Sequence, residues 1–170
     1  MNKNVRVIGI DPGFAIVGWG ILDFDGYRFT PVEYGAIITK PDVSFENRLE
    51  VIWDELSIIL KKHRPSSMGI EKLFFTTNQK TAIDVSQARG IIVLCAKKHG
   101  VDVREYTPLQ VKQAVTGYGK AEKQQVMQMV KTMLKLEKLP KPDDTADAIA
   151  IAICHAHSAG NERQNLLKMR

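Results

Sequence analysis

Between Val5 and Ile10 the chain is mostly apolar with weak alternation, the pattern of a central strand, and Asp11-Pro12-Gly13 closes it with turn residues. From Val17 to Leu22, Gly18 and Gly20 alternate with Val17, Trp19 and Ile21, which predicts a second strand. Tyr27 to Thr39 reads as a third, with an irregularity near Pro31 because proline has no N–H for a ladder. Short connections make these three an antiparallel meander. From Phe45 to Leu60 the period changes. Apolar residues at 45, 49, 52, 53, 56, 59 and 60 form a helical stripe, with Ser44 as N-cap and Pro65 beyond the end. Ser66 to Glu71 is a fourth strand ending in an acid, and the polar stretch from Thr76 to Gln79 leads into a helix from about Lys80 to His99, stopped by Gly100. Val101 to Tyr106 is a fifth strand, and Pro108 opens a short helix to about Val115. Thr116-Gly117-Tyr118-Gly119 breaks it before a helix from about Ala121 to Leu136. Past the linker Lys138-Leu139-Pro140-Lys141-Pro142, a last helix rich in alanine and isoleucine runs from Asp143 to about His157.

This order predicts an α/β fold, a five-stranded mixed sheet made of a three-strand antiparallel meander plus two parallel strands, flanked by helices. At 170 residues one core suffices: residues 1–157 form one domain and 158–170 a polar, flexible tail. With 44% hydrophobic and 25% charged residues the composition is that of a folded globular protein. No apolar run reaches the roughly 20 residues of a membrane span, and the start leads into a strand instead of a signal-peptide core, so a cytoplasmic location is expected. Cys95 and Cys154 lie in apolar helical contexts without metal-ligand spacing and are expected to be buried, reduced thiols.

The net charge of +5 is unevenly spread. Residues 112–141 hold seven lysines against two glutamates and carry the whole excess. A lysine-dense segment just before a group of aspartates suggests a polyanion held beside an acidic site, although a solvated helix face has the same composition.

The acids themselves fall at telling places. Asp11 ends strand one, Glu71 ends strand four, and Asp144 and Asp147 lie three apart in the first turn of the last helix, on one face. Ligand sites in open α/β sheets form at the carboxyl ends of strands. Carboxylates without accompanying histidines or cysteines favour a hard cation such as Mg²⁺ or Mn²⁺ over zinc. Two such ions about 3.5–4 Å apart can activate a water and stabilise the leaving oxygen of a phosphodiester. Each acid also has an ordinary structural account. Asp-Pro-Gly is a common turn, Glu71 can pair with Lys72 or Lys80, and Asp143, Asp144 and Asp147 suit a helix N-terminus, with Asp143 as its N-cap. Their joint placement beside the lysines is what favours a site.

Gly9-Ile10-Asp11-Pro12-Gly13, Ile70-Glu71 followed by Phe74, Ser86-Gln87-Ala88-Arg89-Gly90, Val111-Lys112-Gln113, Gly119 with Ala121-Glu122-Lys123, and Asp144-Thr145-Ala146-Asp147 followed by Ala148-Ile149-Ala150-Ile151-Ala152 resemble, in order, the RuvC-type Holliday-junction resolvases. The resemblance spans about residues 5 to 157 and implies a ribonuclease-H-like fold. It further implies a homodimer in which each subunit nicks one of two like-polarity strands of four-way junction DNA with two divalent ions. It assigns metal ligation to Asp11, Glu71, Asp144 and Asp147, with histidine replacing the residue at the Asp144 position in some members and Asp143 as an extra acid nearby. It also implies Lys112 and Lys123 near the scissile phosphate, Phe74 stacking on a base near the junction centre, the helix from Lys80 as the dimer helix, and the RuvA-RuvB branch-migration complex as partner. Periodicity alone places Ile83, Ile91, Leu94 and Cys95 of that helix in the core. His155 and His157 read as helix-end residues pointing apart.

A sugar-kinase or actin-type ATPase also opens with an acid after strand one, but it needs two related domains and a second Asp-Gly phosphate loop, which this length and sequence lack. A junction-binding protein without activity and a nuclease acting on RNA–DNA hybrid remain as alternatives, separable by Mg²⁺-dependent nicking and by substrate.

Overall fold

Five strands and five helices follow one another in the computed structural model, which describes residues 4–73 and 79–168. The strands are β1 (Val5–Asp11), β2 (Ile16–Phe24), β3 (Phe29–Ile38), β4 (Ser67–Glu71) and β5 (Asp102–Tyr106). The helices are α1 (Phe45–His63), α2 (Gln79–Lys98), α3 (Pro108–Thr116), α4 (Lys123–Met133) and α5 (Asp143–Lys168). The sheet order is β3-β2-β1-β4-β5, antiparallel across β3, β2 and β1 and parallel across β1, β4 and β5. The expected five-stranded mixed sheet is thus the one found. A register shift between Ile21 and Leu22 of β2 takes up the residue between Glu33 and Pro31 of β3, where the ladder lacks an amide donor.

Side-chain alternation splits the core into two layers. Ile8, Ile10, Val17, Trp19, Ile21, Met68 and Ile70 face α1 and α2, whereas Val7, Leu22, Phe24 and Tyr106 face α3, α4 and α5. The positions between them on the second face are glycines. Gly20, Gly9 and Gly69 lie side by side across β2, β1 and β4, with Gly18 one step further along β2. A Cβ at Gly9 would stand 2.1 Å from the Ala148 carbonyl oxygen, one at Gly18 2.0 Å from the Asp144 carbonyl oxygen, and one at Gly69 2.7 Å from the His155 Cβ. Helix α5 therefore rests directly on the sheet backbone, closer than any side chain permits.

Local signals set the helix limits. Gly100 and Gly117 adopt φ of 70° and 75°, the left-handed geometry that ends α2 and α3. Thr107 and Gln110 form a reciprocal capping box at α3, and Glu122 and Gln125 form one at α4. Ser44 sits at the N-cap of α1 without a side-chain cap bond. The boundary expected at His157 falls inside α5, which continues to Lys168. Ile83 and Leu94 correct the core expectation for α2: they are exposed, while Cys95 is fully buried. Both cysteines are free and buried.

Candidate active site

Asp11 and Glu71 are the last residues of adjacent parallel strands, and each lies two residues beyond a glycine that faces α5. Both side chains therefore emerge on the α5 side of the sheet, at the level where that helix begins. Asp11 is opposite Gly18 in the β1–β2 ladder, and the backbone of Asp144 lies on Gly18. The missing Cβ brings the first turn of α5 down beside Asp11. Asp147, one turn on, lies toward Glu71.

Electrostatics report the same convergence. Burial, followed by repulsion from Glu71, Asp147 and Asp144, pushes the Asp11 carboxyl up to about 7, partly offset by Lys123. Glu71 is raised as well, first by burial and then by Asp147. The Lys123 Nζ donates to the Asp147 Oδ2 at 2.8 Å, which holds the lysine above its ordinary range despite some desolvation. Lys112, Lys123, Glu71 and Asp147 line one cavity of about 260 Å³ with Pro108, Val111 and Met127. Asp144 lines a neighbouring cavity of about 320 Å³ with Gly13, Phe14 and Asp84. Asp143 is exposed and pairs with Lys141 at 2.6 Å, while its charge also reaches Lys123. Phe74 and Phe75 lie outside the described residues.

Among the described residues no three His, Cys, Asp or Glu side chains stand together as a ready-made ion-holding group. The Asp147 carboxylate is turned onto Lys123. The donor chemistry nonetheless fits a hard divalent ion. All four side chains offer oxygen, and their mutual repulsion is what such a charge would relieve.

Two features escaped the sequence reading. Asp84 of α2 faces the same cavity as Asp144, and nothing in its helical context distinguishes it from a solvated acid. His155 is fully buried, with Nε2 2.7 Å from the Ser67 Oγ and Nδ1 2.9 Å from the Tyr106 hydroxyl, so it ties β4 and β5 to α5. His157 points elsewhere and packs edge-on against Phe24 and Phe29.

A mixed sheet of this order, with one acid ending each of two adjacent central strands and a pair on the helix crossing them, is the ribonuclease-H-like arrangement of nucleases. The family model for crossover junction endodeoxyribonuclease RuvC matches residues 7–155. The RuvC of Fusobacterium nucleatum is 54% identical over 158 residues, covering 93% of this chain and 83% of the relative. That of Alkaliphilus oremlandii is 54% identical over 89% of this chain and 93% of its own length. Thermus thermophilus RuvC, solved in complex with Holliday junction substrate, superposes with a TM-score of 0.88 at 33% identity, covering 93% of this chain and 96% of that one. The yeast mitochondrial Holliday junction resolvase shares the fold, with a TM-score of 0.66 at 13% identity. The chain belongs to the RuvC family of crossover junction endodeoxyribonucleases.

Proposed function

We propose that this protein resolves four-way DNA junctions by paired, symmetric nicks, acting as a cytoplasmic homodimer with two Mg²⁺ ions per site, for which Mn²⁺ substitutes. The observation that carries this reading is the gathering of Asp11, Glu71, Asp144 and Asp147 at one end of the sheet, next to Lys112 and Lys123. These four carboxylates would hold the ions, which when bound supply a nucleophilic water and charge stabilisation at the phosphodiester. The chain's own part is to hold the acids on rigid strand ends and a backbone-seated helix. Lys112 and Lys123 add positive charge where a phosphate enters, and positive charge aimed at a developing oxyanion lowers the barrier more than it improves ground-state binding. Phe74, just past Glu71 in the chain, is assigned to stack on a base near the junction centre.

The dimer is supported by α2, whose exposed Ile83 and Leu94 lie eleven residues, or three turns, apart and therefore on one face, with the side-chain-free Gly90 between them in open space. A two-fold substrate cut symmetrically calls for a two-fold enzyme. By the same family relation, the RuvA-RuvB branch-migration complex is the expected partner. The experiment is one gel: a synthetic four-way junction, linear duplex and RNA–DNA hybrid, each with and without Mg²⁺. Paired nicks confined to the junction and dependent on Mg²⁺ are expected. Preferential cutting of the hybrid would overturn the substrate assignment, and junction binding without nicking would overturn the enzymatic one.

A further inference from the structure

Lys123 does more in this structure than wait for a phosphate. It opens α4, reaches across to α5 and hydrogen-bonds the carboxylate of Asp147 at 2.8 Å, in the cavity that Glu71 also lines. The pair is partly open to solvent, with side-chain exposures of 59% for the lysine and 29% for the aspartate. An ion pair of this exposure is weak and easily exchanged. Asp11 and Glu71 both feel the lysine's charge, which opposes the upward push that burial and their neighbours exert on them.

We propose that Lys123 is a placeholder cation: it competes with a divalent ion for Asp147 and is released toward DNA when the ion takes that carboxylate. This rests on the assignment of the four acids as metal ligands and adds a coupling to it. An ammonium seated on the Asp147 carboxylate occupies its oxygen and repels an incoming divalent ion, so ion binding and the release of Lys123 toward DNA become linked events. The linkage is reciprocal: whatever draws Lys123 away, a phosphate included, tightens the ion site. Lys112 lines the same cavity and supplies the matched control, because it is a second lysine of the same charge with no ion pair to Asp147.

The test is Mn²⁺ binding to the intact protein without DNA, followed by electron paramagnetic resonance into the millimolar range, for the parent, Lys123→Ala, Lys123→Arg, Lys112→Ala and Asp147→Asn. Removing the competing charge should tighten Mn²⁺ binding by Lys123→Ala about tenfold, the scale of one nearby unit charge in a partly screened site. Lys123→Arg should stay near the parent, and Lys112→Ala should change by less than a third of the Lys123→Ala effect. Thermal unfolding gives a second readout: the melting temperature gained on adding Mn²⁺ should be larger for Lys123→Ala than for the parent. If Lys123→Ala binds Mn²⁺ no more tightly than the parent while Asp147→Asn loses binding, the placeholder role is wrong and the carboxylate site stands. If the parent binds no Mn²⁺, or if Asp147→Asn binds as the parent does, the ligand assignment itself fails. Equal tightening by Lys112→Ala would reduce the effect to general electrostatics and overturn the specific competition.

Discussion

The two faces of the sheet are built on opposite terms. Toward α1 and α2 the strands present large side chains, Ile8, Ile10, Trp19, Ile21 and Met68, so the helices stand off on a thick apolar layer. Toward α5 they present glycine, and the helix lies on backbone. The first arrangement tolerates adjustment, because a methylene lost or gained can be repacked by neighbours. The second does not, and it is on that side that the acids emerge. The closely fitted face is thus the one that carries the acids, while the compliant face has exposed apolar residues, Ile83 and Leu94, on its outer helix.

The largest expected effect tests that rigidity. Gly9→Val drives a branched side chain into the α5 backbone and should cost about 4 kcal/mol or more, read as loss of the cooperative urea transition. Leu94→Ala on the compliant side should leave the transition of the monomer within about 1 kcal/mol of the parent, since its side chain is half exposed. Next comes Asp11→Asn, which should reduce nicking by about 10³-fold or more while junction binding holds or improves slightly, because a negative charge beside phosphates is gone. Full nicking by the purified variant would remove Asp11 from the site. On the far face, Ile83→Glu combined with Leu94→Glu should convert a dimer into a folded 19.1 kDa monomer, measured by light scattering at micromolar concentration. A dimer that survives this change must use another surface.

A smaller effect concerns pH. The folded-state Asp11 carboxyl is raised from 3.8 to about 7, so the folded protein binds this proton more tightly than the unfolded chain does. Its contribution to stability is fully present below pH 3.8 and is lost as pH rises through about 7, with an upper bound of about 4 kcal/mol from this group. Urea midpoints without divalent ions should therefore fall between pH 5 and pH 8, and Asp11→Asn should flatten the profile. The smallest effect belongs to Lys131 and Lys135 on α4 and beyond its end. Alanine at either should weaken DNA binding and lower the salt slope by about one unit with saturated cleavage unchanged. Lys112→Ala should instead slow single-turnover cleavage by about 10²-fold.

The meander, the two parallel strands and the helix order were legible because apolar spacing changes period wherever the element type changes. The four acids were legible by position, two at strand ends and two near the start of the last helix. What the glycines do was legible in principle and was not read: Gly18 and Gly20 marked a strand, but only the strand order puts Gly9, Gly20 and Gly69 in one row under a helix. Ile83 and Leu94 went to the core because an apolar side chain at helical spacing looks the same whether it covers its own sheet or another chain. His155 read as a helix-end residue because the helix continues beyond it and because its partners, Ser67 and Tyr106, are 88 and 49 residues away. The turn of Asp147 toward Lys123 depends on how α4 meets α5, which no local pattern encodes.

Helix α5 works as a gauge. Its contact points on the sheet are Asp144 on Gly18, Ala148 and Ala152 on Gly9, Ile149 on Gly20 and His155 on Gly69. The acids are counted off from these points in whole residues. Inserting one residue between Asp147 and Ala148 would keep every contact below it, yet swing both aspartates by about 100° and shift them by about 1.5 Å along the axis. A substitution leaves that count alone, whereas insertions and deletions upset it at once. Between Asp144 and His155, where every residue from Thr145 on except Asp147 is buried, length is therefore held as tightly as side-chain size, and the spacing itself is as much a part of the enzyme as the carboxylates it sets.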